Sequence, residues 1–164
     1  MLSCAIELFG HKLPSSHRVT LSDSKIGMAK VLEGSFGMTY VDGYVLAVPT
    51  ASQETFVKYS KWFDSIFVEQ GATRVIACWG DDVPDGKVTD FRKAVQAEDG
   101  ETVVFSWGEW PDKETRDAAM SRIEELMKTD ERFDHTKYPL PFDGKRMIYG
   151  TFQSVVDLRE RASS

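Results

Sequence analysis

The residues best equipped for chemistry gather in two acidic turns. Asp82-Val83-Pro84-Asp85-Gly86-Lys87 and Pro141-Phe142-Asp143-Gly144-Lys145-Arg146-Met147 each set Asp-Gly behind a proline and follow it with a base. Asp81, Asp82 and Asp85 are close enough in sequence to meet a hard cation. They lack the Asp-x-Asp-x-Asp-Gly spacing with a distal glutamate that makes a calcium loop, so solvated turn residues are the expected reading and no metal or cofactor is assigned. Asp143, Lys145 and Arg146 suit a carboxylate or phosphate, because a guanidinium meets a planar anion with two hydrogen bonds. The competing reading pairs Arg146 with a carboxylate of the earlier acidic loop, tying the two turns together.

Aromatic residues supply the second kind of chemistry. Trp79, Trp107, Trp110, Tyr44 and Tyr149 fall in strand-like runs, where they serve as core or dimer contacts or line an apolar ligand cavity. Gly43, Ser106, Gly108 and Gly150 leave room beside them. The candidate ligand-binding set is therefore Asp42, Trp79, Asp82, Asp85, Trp107, Asp143, Lys145, Arg146 and Tyr149. No catalytic residue is assigned. His135 sits between Asp134 and Thr136 in a loop and is expected to be solvated. No nucleophile with a neighbouring base, no metal-ligand spacing and no phosphate loop appears, which argues against a hydrolase, kinase or zinc enzyme.

These residues need a scaffold, and the hydrophobic pattern outlines one. Residues 40–48 read as a strand closed by Pro49. Thr50 and Gln53 look like a capping box opening a helix. Its apolar stripe is Phe56, Tyr59, Phe63, Ile66, Phe67 and Gln70, with Lys58, Lys61, Asp64 and Glu69 outside it, and Gly71 ends it. A strand follows over 73–79, then a polar loop to about Asp90 and a short strand or helical turn over 91–97. Asp99-Gly100 turns the chain into a strand over 101–110. Asp112 caps a second helix, which buries Ala119, Met120, Ile123, Leu126 and Met127. The last strand is expected over 146–156.

Strand, helix, strand, strand, helix, strand is the order of an α+β, ferredoxin-like βαββαβ unit with an antiparallel sheet. Both helices then cover one sheet face. Val103, Phe105 and Trp107 alternate with Val104, Ser106 and Gly108; Met147 and Tyr149 alternate with Ile148, Gly150 and Phe152. Neither face reads as polar, so the helix-free face needs a cover. A second copy of the sheet is the simplest one, and it predicts a homodimer built as a dimeric α/β barrel.

Composition narrows the function. The 164-residue chain has 41% hydrophobic and 28% charged residues, the profile of an ordinary globular protein. A formal charge of −6, with no basic run longer than Lys145-Arg146, argues against nucleic-acid binding. No apolar stretch is long enough to span a bilayer. Cys4 and Cys78 form no disulfide framework; Cys78 reads as a small core residue, and the usage suits a cytoplasmic protein.

Residues 1–37 have a different character. Lys12, Arg18, Lys25 and Lys30 outnumber Glu7, Asp23 and Glu33, the apolar residues keep neither period, and the segment ends Gly34-Ser35-Phe36-Gly37. It does not have the build of a secretory signal. The expectation is a non-domain leader over 1–37, disordered or artefactual with Met38 as the natural start, a domain over 38–157 and a tail over 158–164.

Residues 40 to about 157 resemble the YbaA-like bacterial family, a domain of unknown function (DUF1428). The resemblance rests on Tyr40-Val41-Asp42-Gly43, Gly80-Asp81-Asp82-Val83-Pro84-Asp85-Gly86-Lys87, Glu101-Thr102-Val103-Val104-Phe105-Ser106-Trp107 and Pro141-Phe142-Asp143-Gly144-Lys145-Arg146-Met147. It implies a ferredoxin-like protomer of the dimeric α/β barrel superfamily. Thr151 stands where that family commonly has glycine before an aromatic. The function expected is binding, with or without transformation, of a small apolar or aromatic molecule between sheet and helices, near Asp42, Arg146 and a tryptophan. A non-enzymatic interaction or stress-associated module is the alternative, and RNA binding is the least favoured reading.

Overall fold

The computed structural model describes residues 39–158. The expectations for residues 1–37, Cys4 included, lie outside them. The chain runs β1 (Tyr40–Pro49), α1 (Gln53–Glu69), β2 (Arg74–Trp79), a short α2 (Phe91–Ala94), β3 (Glu101–Trp110), α3 (Lys113–Leu126) and β4 (Ile148–Gln153). The sheet order is β2-β3-β1-β4 with every pairing antiparallel, the ferredoxin-like arrangement expected. Within one chain the sheet is open and does not close on itself. No helix among the described residues is long and apolar enough to cross a membrane.

Register decides which side chains meet. Asp42 lies opposite Gly108 of β3 and Thr151 of β4, and Tyr44 lies opposite Ser106 and Tyr149. Because side chains alternate along a strand, Asp42, Tyr44, Leu46 and Val48 share one face with Val104, Ser106 and Trp110. That face meets the helices. Its core is Leu46, Val48, Phe56 and Val104, with Tyr44, Trp79, Phe142 and Met147 packed around them. Each such side chain contributes roughly 1.5–3 kcal/mol by leaving water.

The opposite face is covered only at one end, where Val95 and Ala97, just after α2, pack on Ala47, Val103 and Val45. The rest is largely bare: Phe105, met by Phe91 of α2 at 6.1 Å between ring centroids, is 45% exposed, Ile148 42% and Phe152 59%. Cys78 belongs to this face and is exposed, so the expectation of a core cysteine is corrected. The alternation expected for β3 and β4 holds.

Local signals succeed where the backbone demands them. Gly71 has φ of +113°, the left-handed stop expected after α1. Asp112 accepts a hydrogen bond from Thr115 N at 2.7 Å and caps α3. At Gly86 a Cβ would lie 2.0 Å from the Thr89 carbonyl oxygen, so only glycine fits that turn. The capping box fails, because Thr50–Ser52 forms a 3-10 turn ahead of α1 and the Thr50 hydroxyl pairs with the Thr102 hydroxyl at 2.9 Å. The last strand is shorter than expected, since Gly144–Arg146 is also a 3-10 turn. Residues 91–94 are helical.

Candidate groove and polar cluster

Two features of the helix-covered face have the makings of a site. The first is a buried polar cluster at one end of the sheet. Asp42 is 1% exposed. Its carboxylate accepts hydrogen bonds from Trp110 Nε1 at 2.9 Å, from Arg116 Nε at 3.0 and 3.2 Å, and from the Tyr149 hydroxyl at 3.4 Å. Arg116 also donates to the Tyr149 hydroxyl, and Tyr149 packs against Tyr44 with ring centroids 5.2 Å apart. Four elements thus converge: β1 supplies Asp42, β3 Trp110, α3 Arg116 and β4 Tyr149.

Burial pushes the Asp42 carboxyl above the ordinary range, while Arg116, Trp110 and Tyr149 pull it back. Burial also works against the Arg116 charge, yet Asp42 and the neighbouring tyrosines outweigh it and hold the guanidinium protonated. Burial raises the Tyr44 hydroxyl well above its usual value, with Asp42 adding to the effect. Arg116 fills the cation role that sequence reasoning gave to Arg146. The signal that could have found it is its position on the first turn of α3, directly after Trp110 and Asp112.

The second feature is a groove of about 540 Å³ between α1 and the edge strand β2. The rows Phe56-Ser60-Asp64-Val68 and Val57-Lys61-Ser65 line it from the helix, each at four-residue spacing and therefore in file along one flank. Val75, Ala77 and Trp79 line it from the strand. On its other flank α1 is well covered. Phe133 meets Phe63 at 5.5 Å, Tyr138 meets Trp62 at 4.2 Å and Phe142 meets Tyr59 at 6.4 Å between ring centroids.

Asp64 is the polar centre of the groove. Its carboxylate takes a hydrogen bond from the Ser60 hydroxyl one turn earlier. Burial pushes its pKa up to about 6, against the opposing effect of Ser60. A carboxyl poised there carries either protonation state near neutrality and can serve as acid, base or anion site. Burial, reinforced by the Asp64 charge, raises the Tyr59 hydroxyl. Sequence reasoning put Asp64 outside the apolar stripe and so missed it. The readable signal was a Ser-x-x-x-Asp pair in the row adjoining that stripe.

The candidate residues chosen from sequence fall into separate places. Asp42 and Tyr149 come together, and Trp79 lines the groove, packed on Phe56 at 5.9 Å. Trp107 is on the open face, its ring tilted against Phe105 at 5.4 Å and donating to Glu109 Oε1 at 3.0 Å. Asp82 and Asp85 are exposed on the β2–α2 loop. Among the described residues no group of three or more His, Cys, Asp and Glu is arranged to hold a metal ion.

Asp143, Lys145 and Arg146 occupy the turn before β4, where Asp143 accepts from Lys145 N at 3.0 Å. Arg146 donates to both Glu101 oxygens at 2.7 Å and to Asp143 Oδ2 at 3.2 Å. The pairing of Arg146 with the earlier acidic loop is thus corrected. Glu101 starts β3 directly beside the turn, and its two oxygens match the guanidinium. The earlier loop is fastened by its own residue, Asp90, which accepts from Gly86 N at 2.9 Å and from Lys93 N and Nζ at 2.7 Å. Arg146 also stands far from Asp42. Glu101 pairs with Pro49 at the opposite end of β1, about 23 Å away at roughly 3.3 Å per residue.

Comparison with known proteins agrees with the motifs. The chain is 51% identical over 120 residues, 73% of its length and 99% of theirs, to "Uncharacterized protein YbaA" of Escherichia coli K12 and to its counterpart in Shigella flexneri. Among solved structures it is similar to a dimeric ferredoxin-like protein from an uncultured marine organism (12% identity, TM-score 0.41, covering 74% of this chain and 99% of that one). A de novo designed protein, Foldit4, aligns at 14% identity and a TM-score of 0.33, over 73% of this chain and 99% of its own. Residues 39–144 match the family described as "Protein of unknown function (DUF1428)". With that match spanning the first acidic turn, the start of the second and the strands between them, the chain belongs to the DUF1428 family.

Proposed function

We propose that this protein is a homodimer that binds a small, largely apolar molecule in the groove between α1 and β2 of each protomer. The observation that carries the reading is the groove itself. Its volume of about 540 Å³ and its walls of Phe56, Val57, Val68, Val75, Ala77 and Trp79 suit a ligand of one or two rings. Dimerisation is supported by the bare apolar face, since Phe105, Ile148 and Phe152 would otherwise leave a large hydrophobic patch in water. The two roles are compatible: alternation along β2 turns Val75, Ala77 and Trp79 to the groove and Ile76 and Cys78 to the open face. A dimer formed through the sheets leaves both grooves accessible, and a cytoplasmic small-molecule binder is the resulting picture.

Titration with 2-phenylethanol, followed by amide NMR shifts, tests the binding. Perturbations centred on residues 56–68 and 75–79, weakened several-fold by Trp79→Ala, are expected. Shifts confined to the open face, or none, would refute it. Light scattering tests the dimer: Ile148→Glu should give a monomer, and a monomeric wild type would remove that half of the reading.

A further inference from the structure

Asp64 and Asp42 share a difficulty and differ in its solution. Asp42 is buried outright and Asp64 is half-buried in the groove wall, and a carboxylate drawn into apolar surroundings is best held by a cation or several donors. Asp42 has Arg116, Trp110 and Tyr149. Asp64 has the Ser60 hydroxyl, and no cation among the described residues contributes to its electrostatic environment. Resting on the groove as a binding site, we propose that the ligand itself supplies the missing cation: the groove takes an amine, its ammonium on Asp64 and its apolar body against the neighbouring apolar wall formed by α1 and β2.

The charged and titratable neighbours do not substitute for that cation. Lys61 lines the groove but is exposed, and contributes nothing to the electrostatics of Asp64. Glu69 is already held by Arg132 at 2.8 and 2.9 Å and adds no positive charge. Tyr59 on α1 and Tyr44 on β1 are both raised by burial and stay neutral, so neither competes for the ammonium. The groove residues of β2 are apolar. An anionic ligand would set like charge against Asp64 and is disfavoured.

The choice between amine and neutral molecule is measurable on the intact protein. Calorimetric titrations with 2-phenylethylamine and 2-phenylethanol, at about pH 8 and about pH 5, bracket the Asp64 transition. The amine should bind at least about tenfold more tightly than the alcohol at the higher pH, the effect of one charge-assisted hydrogen bond. The advantage should shrink to about twofold at the lower pH and be lost in Asp64→Asn, whose unchanged amide NMR spectrum away from the substitution reports an intact fold. Equal affinities at the higher pH, or an amine preference that survives Asp64→Asn, would overturn the assignment and leave an apolar groove. Failure of both compounds to bind would overturn the groove reading as well. An amine preference seen only in Lys61→Ala would identify Lys61 as the cation of Asp64 and refute the proposal.

Discussion

Asp42 and Asp64 lie on the same side of one sheet and are both pushed upward by burial, yet they answer different needs. Asp42 joins four elements of the fold through bonds that saturate it. Asp64 hangs from a single helix, bonded to a serine of that helix, and faces a groove. A saturated carboxylate has little left to offer a ligand and much to contribute to a unique arrangement of β1, β3, β4 and α3. One with a lone hydroxyl partner retains its chemistry. Tyr44 feels the charge of both.

The sharpest way to break this contrast is Arg116→Met, which strands Asp42 without its cation. Unfolding by denaturant should show a loss of about 3–5 kcal/mol, because removing one partner leaves an uncompensated buried charge. A loss under about 1 kcal/mol would mean that Asp42 is not saturated as described.

Asp64→Asn should act in the opposite direction. The folded-state pKa of Asp64, about 6, exceeds its ordinary value of 3.8. Folding therefore favours its protonated form, and the associated stability is intact below about pH 4 and lost as pH rises through about 6. The asparagine side chain has no charge to bury, so the variant should be more stable than wild type by about 1–2 kcal/mol at pH 8 and equal to it near pH 4. Urea unfolding of both proteins across that range checks the sign. The difference between them is the quantity to follow, since carboxyls lowered by their partners, such as Asp90 and Glu101, shift both curves the other way.

A smaller effect is expected at the far end of the sheet. Glu101→Gln weakens the Arg146 pair, but Arg146 keeps its bonds to Asp143 and to the Gln96 carbonyl, so the change should cost less than the Arg116→Met loss in the same unfolding experiment. A loss as large as that of Arg116→Met would place the structural anchor of the fold in the second acidic turn.

Much of the scaffold was legible in the chain because it rests on period. The α1 stripe, the alternation of β3 and β4, the stop at Gly71 and the cap at Asp112 follow from local rules that tertiary packing does not contradict. The pairing of Thr50 with Gln53 misled because Thr102, across the sheet, competes for the same hydroxyl. The partners of charged residues were not legible. Arg146 chose Glu101 and Asp42 chose Arg116, pairs 45 and 74 residues apart that only the sheet register and the packing of α3 on the sheet bring together. Asp64 was hidden by the same logic: an acid beside the apolar stripe reads as solvated until a groove forms over it.

The most direct test is a carbon-13 NMR titration of the aspartate carboxyls, with Asp64 assigned by its asparagine variant. Asp64 should titrate near pH 6 in the free protein, and its midpoint should fall when the groove is saturated with 2-phenylethylamine but hold when it is saturated with 2-phenylethanol. A midpoint near that of an ordinary aspartate, indifferent to both compounds, would contradict the account.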